Sequence, residues 1–363
     1  MIDRYQIKNI DLTLVALLLL NSILGVIIIY SSSHYLPGNY HLKQIFWIVI
    51  SFIALILFIS IDYKFMVVYS FYFYIIFLTL LVWILLFGKL VAGTKSWIKF
   101  PFFQFQPSEL MKVAIILLLA RVFAEYRKAH INWSKLFSCC FLVAVPVFLV
   151  CLQPDLGTAA SYIPILLASF ILAGLNRKIF IFLLIFVLLF GIGGWTFGLK
   201  DYQKKRLTTL IFPGHDPLGA GYHIQQSKIA VGSGGFLGKG YKKGTQSQLR
   251  FLPARHTDFI FSVLGEEFGF IGVVVLLLSY FLLLSKLFLS VKDSRDRAGI
   301  YIIFLVAMMI ASQFLINILM IVGLFPIAGI PLPLLSYGGS SLLTTYLSIS
   351  LVLNVKMRRF VNV

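Results

Sequence analysis

Long apolar runs separated by short polar connections dominate the hydropathy pattern. The runs fall at roughly 12–30, 45–61, 67–88, 108–124, 136–152, 156–175, 179–199, 259–289, 300–322 and 334–353. At 1.5 Å per helical residue most can cross a hydrocarbon layer of about 30 Å. Ser, Gly and Pro interrupt the runs without alternating polar and apolar faces. Backbone groups in lipid must be satisfied within their own segment, so the pattern predicts helices rather than barrel strands. The expected fold is an all-α integral membrane protein with ten transmembrane helices. It forms one polytopic domain over residues 1–363, with one large extracytoplasmic loop, about 200–257, between spans seven and eight.

The first run follows Arg4 and Lys8 and ends at Ser31 to Ser33, which resembles the layout of a secretory leader. It is longer than a leader's apolar core and nine more runs follow it, so it is read as a retained span. Most connections are short, as in a compact antiparallel bundle. The segment 200–257 differs: ten Lys/Arg face only Asp201 and Asp216, and nine glycines are present. Its stretch GYHIQQSKIAVGSGGFLGKG interleaves apolar residues with Lys, which predicts an ordered re-entrant or interfacial loop rather than disorder. A second connection, 88–108, has the Gly, Trp97 and Phe/Pro pattern of an interfacial elbow.

Composition agrees: 60% of residues are hydrophobic and 12% charged, against about 25% charged in a soluble domain. With a cytoplasmic N-terminus, inner segments hold 16 Lys/Arg and short outer connections hold 5. Both termini are therefore expected inside. The formal charge of +18 is spread over span ends rather than gathered on one soluble face. That distribution suits membrane lipid headgroups as partners and argues against nucleic acid. Cys139, Cys140 and Cys151 share one apolar run and have no metal-ligand spacing, which reads as three buried hydrophobes.

Only 13 acidic residues are present, and this scarcity narrows the chemistry. Asp3, Asp11, Asp62, Glu125, Asp293 and Asp296 fall on the predicted cytoplasmic side, leaving Glu109, Asp155, Asp201, Asp216, Asp258, Glu266 and Glu267. Glu109 and Lys112 share a helix face and can simply pair. Asp155 stands where a helix cap belongs. Asp258 sits between His256–Thr257 and a long apolar run, beside Arg255, at a boundary where a carboxylate must face water, a partner charge or a substrate. Capping and catalysis both fit it, and its surroundings favour catalysis. Glu266 and Glu267 lie two turns deeper and cannot both face one partner, so one of them is expected to be structural. SGGFLGKG lacks the first Gly and the final Ser/Thr of a phosphate-binding P-loop.

The run NILMIVGLFPIAGIPLPLLSYGGSS, with Asn317, Gly323, Pro326, Gly329, Ser336, Gly338 and Gly339, resembles the signature of the SEDS family (shape, elongation, division and sporulation). QPSELMK at 106–112, QPDLGTA at 153–159 and FLPARHTDFIFSVLGEEFG at 251–269 extend the resemblance over nearly the whole chain. The loop wording is similar to the RodA branch rather than the FtsW branch. This resemblance implies a peptidoglycan glycosyltransferase that polymerises lipid II for cell elongation, together with a class B penicillin-binding protein transpeptidase. It also implies that Asp258, the acid of the HTD motif, is essential. Family members often have Glu where this chain has Ala254, so a second carboxylate there cannot be required.

Joining a lipid diphosphate sugar to a sugar hydroxyl with inversion needs a base and positive charge for the leaving group. The resemblance thus points to Asp258 as base and to Lys112, Arg206 and Arg255 as diphosphate candidates. Glu109 would hold Lys112, and Asp155 and Ser336 complete the candidate substrate-binding set. No cofactor is required by this reading, although a divalent cation is compatible with it. A lipid flippase, a recruiting scaffold and the septal polymerase of the same family are the alternatives.

Overall fold

The computed structural model describes residues 9–88, 94–99, 104–126, 128, 130–183, 185, 204, 208–209, 219–249, 251–252 and 254–359. Its helices are α1 (Leu12–Ser33), α2 (Tyr40–Ser60), α3 (Tyr63–Val68), α4 (Ser70–Phe87), α5 (Pro107–Ala124), α6 (Trp133–Leu152) and α7 (Leu156–Ala173). They continue as α8 (Ala220–Ser233), α9 (Thr245–Gln248), α10 (Ile260–Ser290), α11 (Arg297–Ile321) and α12 (Gly339–Met357). A two-stranded antiparallel pair, β1 (Ile98–Lys99) and β2 (Gln104–Phe105), lies in the predicted elbow.

Short polar side chains start many of these helices by satisfying amides that have no partner within the first turn. Asp11 accepts from Leu14 N at 3.2 Å, Asp62 from Lys64 N at 2.8 Å, Asn132 from Lys135 N at 3.1 Å and Asp296 from Gly299 N at 3.3 Å. Pro107 opens α5, where its missing amide is harmless.

Burial is arranged inside out relative to a soluble bundle. Residues such as Phe46, Val49, Ile53, Phe71, Tyr72, Trp83 and Phe87 are exposed on α2 and α4, while α5 and α12 are buried along nearly their whole length. Seven helices are long and apolar enough to cross a membrane among the described residues: α1, α2, α4, α6, α7, α10 with the following turn to Asp293, and α11. The expected ten therefore reduces to seven on that measure. Helix α5 carries Glu109, Lys112 and Arg121, and α12 carries Ser, Thr, Asn354 and Lys356, because both are shielded by neighbours rather than by lipid. The expected run 179–199 falls mostly outside the described residues. Cys139 is buried, but Cys140 is half-buried and Cys151 exposed, so the expectation of three buried thiols holds for one.

Helix α10 is broken at Gly269, whose backbone (φ 62°, ψ −157°) is open to glycine alone. A tight loop at 234–240 replaces the interrupted helical bonds. Lys239 N and Gly240 N donate to Glu266 O and Glu267 O at 3.0 Å each, and Phe270 N donates to Gly235 O at 2.9 Å. Part of the expected large loop is thus folded: α8 packs on α10 and α11, and Ser227 Oγ donates to Ile321 O at 2.8 Å.

The two ends of the bundle differ. At one end Lys356 joins α12 to Asp11 (2.6 Å), Ser290 (3.0 Å) and Asp293 (3.2 Å). The opposite end, where α10 and α12 begin, gathers Asp258, Arg255 and Ser336 among the residues singled out from sequence.

Candidate active site

Asp258 occupies the turn before α10 and is half-buried. Ala254, in a left-handed conformation at φ 48°, opens this turn, and its carbonyl accepts from Thr257 N at 3.1 Å and Phe259 N at 3.3 Å. The turn is fastened to the loop 322–338 that leads into α12. Tyr337 N donates to His256 O at 2.9 Å, and Ser336 Oγ donates to Thr257 O at 2.6 Å while accepting from Leu332 N at 2.9 Å. Asn317 of α11 donates to Asp258 O at 3.1 Å and to Ile330 O at 2.9 Å.

The loop is the spine of this end of the molecule. Its carbonyls at Leu334 and Leu335 pass against Gly25 of α1, and Gln44 Nε2 of α2 donates to Ser336 O at 3.2 Å. Ala328 O lies so close to Gly157 that a side chain there would overlap it. The next residue, Gly329, faces the Asp258 carboxylate: a β-carbon on it would stand 3.9 Å from Oδ2. Gly157 is two residues from Asp155, so the loop backbone connects two of the sequence candidates.

Asp155 does cap α7, accepting from Thr158 N at 3.2 Å, and its other oxygen accepts from Gln106 Nε2 at 2.7 Å and Thr158 Oγ1 at 3.0 Å. Burial raises its pKa, outweighing the bonds from Thr158 that favour the charge. One turn along α5 from Gln106, Lys112 Nζ meets Glu109 Oε1 at 2.7 Å, with both side chains nearly inaccessible. The pairing expected from their spacing is therefore present.

Other candidates are placed differently. Arg255 is buried and its guanidinium donates to Ser247 O, so it fastens the preceding loop. Ser336 is buried with its hydroxyl committed to backbone groups on both sides. Arg206, with Asp201 and Asp216, lies outside the described residues. Both deeper glutamates are structural, where one was expected to be. Glu266 accepts from Lys239 Nζ (2.9 Å), Gln246 N (2.8 Å) and Ser247 N (3.0 Å); Glu267 accepts from Ser31 Oγ at 2.6 Å and Gln248 Nε2 at 3.2 Å.

Sequence reasoning gave no role to Gln44, Gln106 or Asn317. Their signal was an amide side chain within or beside an apolar run, where burial demands partners. His256 packs between Tyr40 and Tyr337, and burial, reinforced by the Arg255 charge, lowers its pKa to about 4. Among the described residues, no group of three His, Cys, Asp or Glu side chains is arranged to hold a metal ion. Chemically, this end offers a carboxylate beside bare glycine backbone, which can take a proton from a group entering there.

Comparisons with known proteins agree over almost the whole length. The Escherichia coli K12 peptidoglycan glycosyltransferase MrdB is 36% identical over 352 residues, covering 97% of this chain and 94% of that protein. The Treponema pallidum peptidoglycan glycosyltransferase RodA is 32% identical, covering 97% and 99%. Among solved structures, a chain from a peptidoglycan synthase complex that coordinates polymerization and crosslinking superposes with a TM-score of 0.82 at 29% identity, covering 97% of this chain and 98% of that one. The rod shape determining protein RodA of Thermus thermophilus gives 0.72 at 26%, with the same coverage. The sequence profile of the FtsW, RodA and SpoVE cell cycle proteins matches residues 11–360, and this chain belongs to that family.

Proposed function

We propose that this protein is a peptidoglycan glycosyltransferase that polymerises lipid II into β-1,4-linked glycan strands during cell elongation. Its relatives MrdB and RodA are named peptidoglycan glycosyltransferases. The observation that carries the reading is the half-buried Asp258, held at the head of α10 against the Gly329 backbone.

Asp258 acts as the general base. It takes the proton of an acceptor sugar hydroxyl as that oxygen attacks the anomeric carbon of the lipid-linked sugar. The carbon–oxygen bond to the diphosphate breaks on the opposite face, configuration inverts, and the diphosphate leaves with its electron pair. Because the diphosphate needs no proton, one carboxylate suffices, unlike the acid and base pair of glycoside hydrolysis. Arg206 is the remaining candidate for supplying positive charge to the leaving group, whereas Lys112, nearly inaccessible and neutralised by Glu109, steadies the head of α5 instead. Arg255 serves less directly, by anchoring Ser247 and the loop above α10. Asp155 and Ser336 shape the same end through Gln106 and Thr257.

The Asp258 end faces outward and both termini face the cytoplasm, as the Lys/Arg asymmetry favours. Counting α5, α12 and the run 179–199 gives ten spans. A transpeptidase partner fits the likeness to a chain from a complex that couples polymerization with crosslinking.

The test is polymerisation of purified lipid II by the reconstituted protein. Asp258→Ala should abolish polymer while leaving a folded protein of unchanged Tm. Polymer of normal yield and length from that variant would sink the assignment, and lipid movement without polymer in the wild type would favour a flippase.

A further inference from the structure

Asn317 is fully buried near the end of α11 and belongs to neither of the segments it joins. Both of its partners, Asp258 O and Ile330 O, are acceptors, so the amide nitrogen must point to them. Its own Oδ1 is buried with no hydrogen-bond partner among the described residues, so the side chain keeps this orientation at the expense of an unsatisfied oxygen. Ser336 and Tyr337 fasten Thr257 and His256, whereas Asn317 alone among these ties reaches the backbone of Asp258 itself. Its second bond holds the residue after Gly329, whose bare backbone (φ 68°) faces the carboxylate.

One amide therefore bridges the backbone of Asp258 and the residue that follows Gly329. We infer that Asn317 is the positioning residue of the reaction, setting the separation between the Asp258 carboxylate and Gly329, and that the slot between them receives the attacking sugar hydroxyl. This rests on the glycosyltransferase reading above. A general base must come within about 2.6–3.2 Å of the hydroxyl it deprotonates, and a displacement of about 1 Å can lower the rate 100-fold. Glycine fits this wall because its φ of 68° disfavours a side chain, and a β-carbon there, in van der Waals contact with Oδ2 at 3.9 Å, would occupy the place given to the hydroxyl.

The experiment measures initial rates of lipid II polymerisation against substrate concentration and pH for the full-length wild type, Asn317→Ala and Gly329→Ala, with Tm recorded for each. Asn317→Ala should lower kcat by about 100-fold with KM changed less than about threefold, and should move the acid limb of the pH profile, which reports ionisation of the base. A purely structural role predicts a loss matching the unfolded fraction and an unmoved pH profile. Gly329→Ala leaves Asn317 itself in place and should lower kcat/KM at least about tenfold through the filled slot, its Tm reporting the strain of a side chain at φ 68°; if folded, it also decides the matter where Asn317→Ala does not fold. Wild-type kinetics for folded Gly329→Ala, or an unmoved pH profile for folded Asn317→Ala, overturns the inference. Absence of polymer from the wild type would instead defeat the functional reading.

Discussion

His256 makes the Asp258 end sensitive to acid. Burial and Arg255 hold its pKa near 4, against an ordinary value of 6.5. Between those values the unfolded chain binds the extra proton, so stability rises with pH there and is lost as pH falls from 6.5 toward 4. A gap of that size corresponds to at most about 3 kcal/mol. Tm should therefore drop more steeply from pH 7 to 4.5 for the wild type than for His256→Gln, and parallel curves would remove His256 as the cause. Residue types at this end were legible in the sequence, but their partners were not. Glu109 and Lys112 pair as their spacing required, because three residues on a helix fix the geometry. Arg255 and Ser336 looked equally available for substrate, yet each meets a carbonyl contributed by a different segment, which spacing cannot disclose.

Helix α10 shows the same limit at the scale of an element. Its sequence reads as one apolar run because Phe268 to Gly272 is as hydrophobic as its flanks. The break at Gly269 depends on glycines about thirty residues earlier: Gly238 has φ 80°, and a β-carbon on Gly269 would overlap its amide nitrogen. Gly269→Ala should thus displace the 234–240 loop and destabilise the protein by about 2–4 kcal/mol. Limited proteolysis should then cut within 234–249 faster than in the wild type. An unchanged cleavage pattern with an unchanged Tm would show that the break is not locked by the loop. The break also explains why Glu266 and Glu267 are both used: each holds a part of the 239–248 segment against the short N-terminal part of the helix.

For the whole molecule, hydropathy identified a helical membrane protein but not its layering. Helices α5 and α12 are central, and their polar residues became acceptable because other helices, not lipid, surround them. The end away from Asp258 is closed by Lys356, whose side chain is 9% exposed, against Asp11 at 10%. Burial raises the Asp11 pKa, but the bond and charge of Lys356 with the other bonds outweigh it, leaving the carboxyl below its ordinary 3.8. Its stabilising contribution is present above that value and disappears as pH falls through the lower, folded one. Lys356→Ala leaves Asp11 with Lys286 at 3.3 Å as its remaining cation and should cost about 1.5–3 kcal/mol. The accompanying fall in Tm should far exceed that of Lys292→Ala at an exposed site, and equal falls would contradict a buried pair.

The loop at 322–338 also bears on how a copy of this protein comes into being. It touches Gly25, Gln44, Gly157 and Asp258 in turn, and Gly339 just beyond it packs on Trp47. Synthesis runs from the N-terminus, so a ribosome delivers the carboxylate many residues before it delivers the opposing backbone. A nascent or prematurely terminated product thus presents the Asp258 turn without the loop that fastens it. The proposed site is therefore complete only once the last of the described helices has been made.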